Sequence, residues 1–148
     1  FHLYENNGVV KRENIKELIE RLNQDDRKIL RNLGVKFGRY HIFLFRLFKP
    51  SAVSFRILLW KNFHQKFLNL EPPTFGLNFL ENKKSTNQNF MLLCGFEKFE
   101  NFYVRIDILE RLFLIIIEKK EKGVNEIKLL PDMLNLLGCN KENFLKLN

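Results

Sequence analysis

The chain has 148 residues, of which 45% are hydrophobic and 28% are charged, and its formal net charge is +8 at pH 7. These are globular values, so they exclude wholesale disorder and suit one ordinary domain or two small ones. The longest strongly apolar run, Leu112 to Ile117, is too short to span a membrane. The two cysteines, Cys94 and Cys139, form no metal-binding motif, so we expect reduced thiols in a cytoplasmic protein. Because the chain starts at Phe1 rather than Met, we interpret it as a segment of a longer protein.

The positive charge is concentrated in one part of the chain. The 44 residues from Arg27 to Leu70 contain ten basic residues and no acidic one, and the other 104 contain 15 basic and 17 acidic residues. The base composition of an AT-rich genome would raise the lysine content evenly along the chain. The concentration therefore indicates a functional feature, which we call the basic block.

Two helices are predicted near the N-terminus. Residues 12–22 carry apolar side chains at the i, i+3, i+4 and i+7 positions of one helix face. A second helix is predicted over residues 25–33, with acidic residues in its first turn and Gly34 as its C-terminal stop. The side chains expected to face the core are Ile15, Leu18, Ile19, Leu22, Ile29, Leu30 and Leu33.

A short extended segment and a longer helix are predicted next. Alternating apolar residues flank Gly38, and Pro50 is typical of the first position of a helix, which we expect to run to about Phe67. The side chains expected to face the core are Val53, Ile57, Leu58 and Trp60. Residues 1–69 are therefore predicted to form a basic helical unit.

The second half of the chain is predicted to be a linker followed by a small unit. Residues 70–89 are interpreted as the linker because prolines, a glycine and polar residues dominate them. Residues 90–148 would form the unit, with a hairpin between Phe96 and Val104. A capping box of Asp107 and Glu110 would then open a helix.

The C-terminal sequence LLPDMLNLLGCNKENFLKLN, residues 129–148, has the spacing of a helix-turn-helix with Gly138 in the turn. Its second helix carries only Lys141 and Lys146, balanced by Glu142, so we favour a structural winged-helix-like module over a DNA-reading one. The predicted fold class is mainly α with minor β. It consists of an N-terminal helical unit and a small C-terminal helix-turn-helix or winged-helix-like unit.

No catalytic motif is present in the sequence. The chain contains no Walker A loop, DExH box, HExxH, GxSxG or GxGxxG sequence. His41 is interpreted as a packed or hydrogen-bonded histidine, and Arg105 as a local partner of Asp107. Helix capping and surface pairing explain Asp107, Glu110 and Arg111 better than acid–base catalysis does. We therefore predict no catalytic residue, no metal site and no cofactor in this chain.

The basic block alternates cations with aromatic residues, which is typical of surfaces that neutralise phosphates and stack on bases. Two alternatives remain: the aromatics form a core beneath solvated cations, or the segment is a membrane-surface helix, which would need a cleaner polar face. The predicted nucleic-acid contacts are Lys36, Arg39, Arg46, Lys49 and Lys61 to phosphates and, as a lesser prediction, Tyr40 or Trp60 to bases.

Three segments carry a resemblance to a known family: GVKFGRYHIFLFRLFKPSAVSFRILLWK, CGFEKFENFYVRIDILERL and LLPDMLNLLGCNKENFLKL. In this order and spacing they resemble the C-terminal region of the superfamily 2 DEXH-box RNA helicases of the mitochondrial-degradosome type, in their alphaproteobacterial form. Phe45 departs from the pattern, because the family often has proline there. The matching positions are Gly34, Phe37, Gly38, Arg39, His41, Lys49, Pro50, Arg56, Trp60, Arg105, Asp107, Glu110, Arg111, Gly138 and Cys139.

The resemblance implies a place downstream of the two motor domains of an ATP-dependent RNA helicase. ATP and Mg²⁺ would bind those motor domains and not this chain. The expected function is an accessory, RNA-contacting region, with single-stranded RNA, the motor domains in cis and a nuclease as partners, and no membrane. The alternative is a protein-docking scaffold that contacts the motor domains or an acidic partner. A free-standing transcriptional regulator is a weaker third hypothesis.

Overall fold

The computed structural model describes residues 1–65, 68–83, 86–99 and 101–123. The chain divides into two compact units. The first consists of residues 1–72 together with 92–95, and the second of residues 73–91 together with the described residues from 96 onward. Each unit is built around a three-stranded antiparallel sheet.

The predicted fold class is therefore wrong, because the chain is a mixed α/β protein and not a mainly helical one. The described part of the second unit contains a sheet where a helix-turn-helix or winged-helix-like unit was expected. The motif at residues 129–148 itself lies outside the described residues. The two complete sheets were not predicted, because each of the six described strands has only three or four residues, too few to show a clear period.

The sheet of the first unit has the strand order β1-β3-β2, formed by Val9–Lys11, His41–Leu44 and Val35–Phe37. The strands β2 and β3 confirm the extended segment that was predicted around Gly38. In the register, Ile42 of the central strand lies opposite Val10 on one side and Phe37 on the other.

Each face of this sheet is covered by apolar side chains. On one face, Val35 and Ile42 form a buried cluster with Ile19. Phe43 points to the other face, because side chains alternate along a strand. Its ring stacks on that of Phe48 at a centroid distance of 5.4 Å.

The short helices of the first unit agree only in part with the prediction. They comprise α1 (His2–Glu5), a 3₁₀ turn (Arg12–Ile15) that leads into α2 (Lys16–Glu20), and α3 (Gln24–Asn32). The predicted helix over residues 12–22 is therefore a 3₁₀ turn and a short helix. Ile15, Ile19 and Leu30 pack into the core as expected. Leu18, Ile29 and Leu33 are exposed, so the predictions for these three side chains are wrong.

The long helix α4 (Pro50–Phe63) begins at the predicted proline and ends before Phe67. It follows a second 3₁₀ turn, Phe45–Phe48. Val53 and Ile57 are buried and Trp60 is half-buried, as predicted. Leu58 is exposed, which contradicts the expectation that it faces the core.

The second unit has the strand order β4-β6-β5, formed by Phe79–Glu81, Phe102–Arg105 and Phe96–Phe99. The pairing of β5 with β6 confirms the predicted hairpin. Strand β4 lies in the segment that was interpreted as a linker.

Helix α6 (Ile106–Glu121) follows β6, and helix α5 (Gln88–Leu93) begins in the second unit and ends in residues assigned to the first. The core cluster joins Val104 of β6 to Ile108 and Leu109 of α6. The N-cap of α6 is Arg105, which makes no side-chain capping bond, so the predicted capping box is wrong.

Candidate nucleic-acid interface

The β2–β3 hairpin presents two of the predicted contact residues at its tip. The Gly38 N–H donates to the His41 carbonyl oxygen over an N···O distance of 2.8 Å. This bond leaves Arg39 and Tyr40 as the two residues of the loop. Both are exposed, and Tyr40 has 48% of its surface accessible. The tip therefore combines a guanidinium group with an accessible aromatic ring.

Arg12 fixes the backbone of this loop from the end of β1. Its backbone N–H donates to the Tyr40 carbonyl oxygen at 2.8 Å, and its Nη1 donates to the Gly38 carbonyl oxygen at 3.0 Å. Arg39 thus lies between two anchored residues. A loop that is already ordered loses less conformational entropy on binding, which favours affinity.

The other exposed cations of the prediction lie away from the tip. Lys36 is exposed on β2, which is an edge strand, and it shares a face with its register partner Phe43. Arg46 and Lys49 are exposed in and just after the 3₁₀ turn that follows β3. They lie at the opposite end of β3 from the tip, roughly 15 Å away at the usual rise per strand residue.

Arg46 packs beside the start of β2. Gly34 has a φ of +95°, and a Cβ placed there would lie 3.6 Å from both Cδ and Nε of Arg46. The aliphatic part of the Arg46 side chain therefore runs past Gly34 while the residue as a whole stays exposed. Two groups of predicted contact residues therefore lie at opposite ends of β3, Arg39 and Tyr40 at the tip and Arg46 and Lys49 after the strand.

One cation of the basic block has a structural role. Arg56 of α4 donates through Nη2 to the Asn7 carbonyl oxygen and through Nη1 to the Leu47 carbonyl oxygen, the latter at 3.3 Å. Burial lowers the pKa of Arg56, and the neighbouring Cys94 opposes that effect. The side chain is therefore committed to the backbone of the first unit and is not a phosphate contact.

Lys61 is the least accessible of the predicted phosphate contacts. It is half-buried in the last turn of α4. Burial raises the pKa of the Cys94 thiol to about 12, and the charges of Arg56 and Lys61 act in the opposite direction. Lys61 therefore lies near a buried, protonated thiol, which makes it a weaker candidate than the exposed cations.

Of the two aromatic candidates, Tyr40 is better placed than Trp60. Trp60 is half-buried, and its ring lies 4.6 Å from the His64 ring at an interplanar angle of 42°, so His64 covers part of it. His41 is buried and takes part in an interaction, as expected for a packed histidine.

Asp107 and Glu110 at the start of α6 differ in their environments. Arg105 and Asp107 make a two-bond ion pair, with Nε–Oδ1 at 2.6 Å and Nη2–Oδ2 at 3.0 Å, which confirms the predicted local pairing. Glu110 is buried, so its expected role in capping and surface pairing is wrong.

Within the described ranges, no group of three or more His, Cys, Asp and Glu side chains could hold a metal ion. No helix among the same residues is long and apolar enough to cross a membrane.

Comparison with protein-family models, with curated proteins and with solved structures finds no match to this chain. The resemblance to the helicase C-terminal region therefore stays a prediction drawn from the residues.

The sequence analysis missed two features of this unit. Arg12 lies within a predicted helix, so nothing in the sequence indicated that it would anchor a distant loop. The outer side of α4 was also missed, although Phe55, Leu58 and Leu59 show a helical spacing of their own beside the buried set. A count of apolar residues on both sides of the helix would have found it.

Proposed function

We propose that this chain is an accessory module that contacts single-stranded RNA through the tip of the β2–β3 hairpin. The observation that carries the proposal is the loop of Arg39 and Tyr40, in which Arg12 bonds to the carbonyl oxygens on either side of Arg39. The loop belongs to the basic block, which contains no carboxylate. Arg39 would bind a phosphate and Tyr40 would stack on an unpaired base. Stacking of this kind requires bases that are free of a duplex, which favours single strands.

The parent protein in this proposal is an ATP-dependent RNA helicase, and the chain belongs to its C-terminal region in the cytoplasm. The resemblance of the three sequence segments supports that part. ATP and Mg²⁺ would bind the motor domains, and this chain would hold or guide the strand that leaves them. Lys36, Arg46 and Lys49 would extend the contact along the phosphate backbone.

The salt dependence of RNA binding tests the proposal. We expect the affinity for a fluorescein-labelled oligouridine, measured by fluorescence anisotropy, to fall steeply with NaCl concentration. The log–log slope is about −0.7 per phosphate contact on a single strand. Arg39→Ala combined with Lys49→Ala should therefore make the slope shallower by about 1.4.

Two control variants make this test specific. Lys120→Ala combined with Lys122→Ala removes the same number of charges from exposed positions of the second unit, and it should leave the slope unchanged. Tyr40→Ala should weaken binding by about 1–3 kcal/mol without changing the slope, whereas Tyr4→Ala, another exposed tyrosine, should have no effect.

The proposal fails if the chain does not bind the oligouridine at low salt, or if both double variants change the slope equally. Preferential binding to one duplex DNA sequence would instead support a transcriptional regulator.

A further inference from the structure

The outer side of α4 carries four large apolar side chains that no part of the described chain covers. Phe55, Leu58, Leu59 and Phe63 have exposed fractions of 61%, 65%, 53% and 83%. Their spacing of i, i+3, i+4 and i+8 places them on one side of the helix, within an arc of roughly 140°. We call this surface the α4 outer stripe.

The α4 outer stripe is additional to the side of the helix that stabilises the fold. Val53 and Ile57 are buried and lie on the opposite side of the same helix. A helix that is apolar on both sides is normally covered on both. Contiguous apolar surface of this kind on a folded protein marks an interaction site.

The charge around the stripe indicates what covers it. Helix α4 contains two half-buried cations, Arg56 and Lys61, and no acidic residue, and the exposed Lys49 precedes its first turn. The whole basic block supplies no carboxylate. A second copy of this chain would place two basic blocks together, which is unfavourable, whereas an acidic partner would be attracted.

The shape of the stripe indicates the form of the partner. An exposed helix with apolar residues at i, i+3 and i+4 is complementary to another amphipathic helix whose apolar residues have the same spacing. Acidic residues beside that apolar face would then meet α4, whose own charged residues are all basic.

We propose that the α4 outer stripe is a docking site for an acidic amphipathic helix of a partner protein. This surface is separate from the hairpin tip, so the inference goes beyond the proposed RNA contact and does not depend on it.

Peptide binding to the full chain tests the proposal. Two fluorescein-labelled synthetic helices share one leucine stripe and differ only in the flanking residues, which are glutamate in one and lysine in the other. By fluorescence anisotropy, we expect the glutamate peptide to bind at least about tenfold more tightly than the lysine peptide. Leu58→Ser should weaken the binding of the glutamate peptide by about tenfold, as expected for a central interface residue.

Leu33→Ser is the matched control. Leu33 lies in the first unit and has the same exposed fraction as Leu58, 65%, but it follows α3 and is not part of the stripe. This variant should bind the glutamate peptide like the unchanged chain, and neither substitution should alter the thermal unfolding temperature, because both side chains are exposed. Arg39→Ala should lower RNA affinity and leave peptide binding unchanged, which separates this inference from the proposed function.

Four outcomes overturn the inference. The first is failure of the glutamate peptide to bind, or equal binding of both peptides. The second is an equal loss of binding in Leu33→Ser and Leu58→Ser. The third is a dimer in sedimentation velocity that Leu58→Ser dissociates, which would assign the stripe to a second copy. The fourth is flotation with phosphatidylserine vesicles that Leu58→Ser abolishes, which would assign it to a membrane.

Discussion

Arg56 connects parts of the first unit that are distant in sequence. Its guanidinium group donates to the carbonyl oxygens of Asn7 and Leu47. Asn7 and Gly8 form a tight turn with φ values of 56° and 82°, closed by a bond from the Val9 N–H to the Asn6 carbonyl oxygen. Arg56 therefore supplies donors to a carbonyl oxygen of this turn and to a carbonyl oxygen of the 3₁₀ turn before α4, and it connects the two.

Replacement of Arg56 by methionine should destabilise the protein by about 2–3 kcal/mol. The substitution keeps much of the aliphatic packing but leaves two carbonyl oxygens without a charged donor. Urea unfolding followed by circular dichroism measures the effect. Arg21→Met at an exposed position is the control and should change the free energy of unfolding by less than about 0.5 kcal/mol. Equal effects of the two substitutions would show that Arg56 is not structural.

Cys94 makes the stability of the protein sensitive to alkaline pH. Burial raises the pKa of its thiol from 9.0 to about 12, so the folded chain keeps the proton over a range where the unfolded chain loses it. The stabilising contribution is complete below about pH 9 and is lost between pH 9 and 12, at up to about 1.4 kcal/mol per pH unit.

Urea unfolding at about pH 8 and about pH 10.5 tests this dependence. Between the two pH values, the free energy of unfolding of the unchanged chain should fall by about 2 kcal/mol more than that of Cys94→Ser. Tyr103, whose pKa is raised by burial and by the neighbouring Glu97, contributes to the loss in both proteins and cancels in the comparison. A parallel loss in both proteins would contradict the assignment to Cys94.

At the level of elements, the start of α3 is set by a capping box. The Asn23 side chain accepts from the Asp26 N–H at 2.8 Å, and the Asp26 carboxylate accepts from the Asn23 N–H at 3.2 Å. The acidic first turn placed the helix start within one residue of its observed position, Gln24. The capping residue itself was not identified, because asparagine is equally common in turns.

Asn23→Ala should lower the free energy of unfolding by about 1 kcal/mol, because the first turn of α3 loses its side-chain acceptor. Asn32→Ala, the same change in the last residue of the helix, is the control. It should lower the free energy of unfolding by less, since it removes no cap. Chemical unfolding compares the two variants. An equal or larger loss in Asn32→Ala would mean that the cap does not stabilise the helix.

The strands show how much of each element the sequence could predict. The extended segment around Gly38 and the hairpin from Phe96 were predicted, because β-branched and aromatic residues alternate there. Strands β1 and β4 were missed, since each has three residues and pairs with a segment far along the chain. Short strands of this kind are defined by their partners and not by their own pattern.

For the whole molecule, the sequence established the concentration of positive charge but not its use. The ten cations of the basic block follow from a count. Only the fold distinguishes Arg56, which bonds to backbone carbonyls, from Arg39, which is exposed at a hairpin tip. The candidate site was therefore predictable as a region, whereas the separation of its exposed cations from the structural Arg56 required the fold.

The sequence by itself determined the globular composition, the helix starts at residues near Asp25 and Pro50, and the segment that carries the charge. These properties depend on local chemistry: side-chain periodicity, the fixed φ of proline and the sum of charges. The tertiary structure alone decided the two sheets, the anchoring of the hairpin tip by Arg12 and the exposure of Leu58. These depend on contacts between residues far apart in the chain, and no local pattern contains that information.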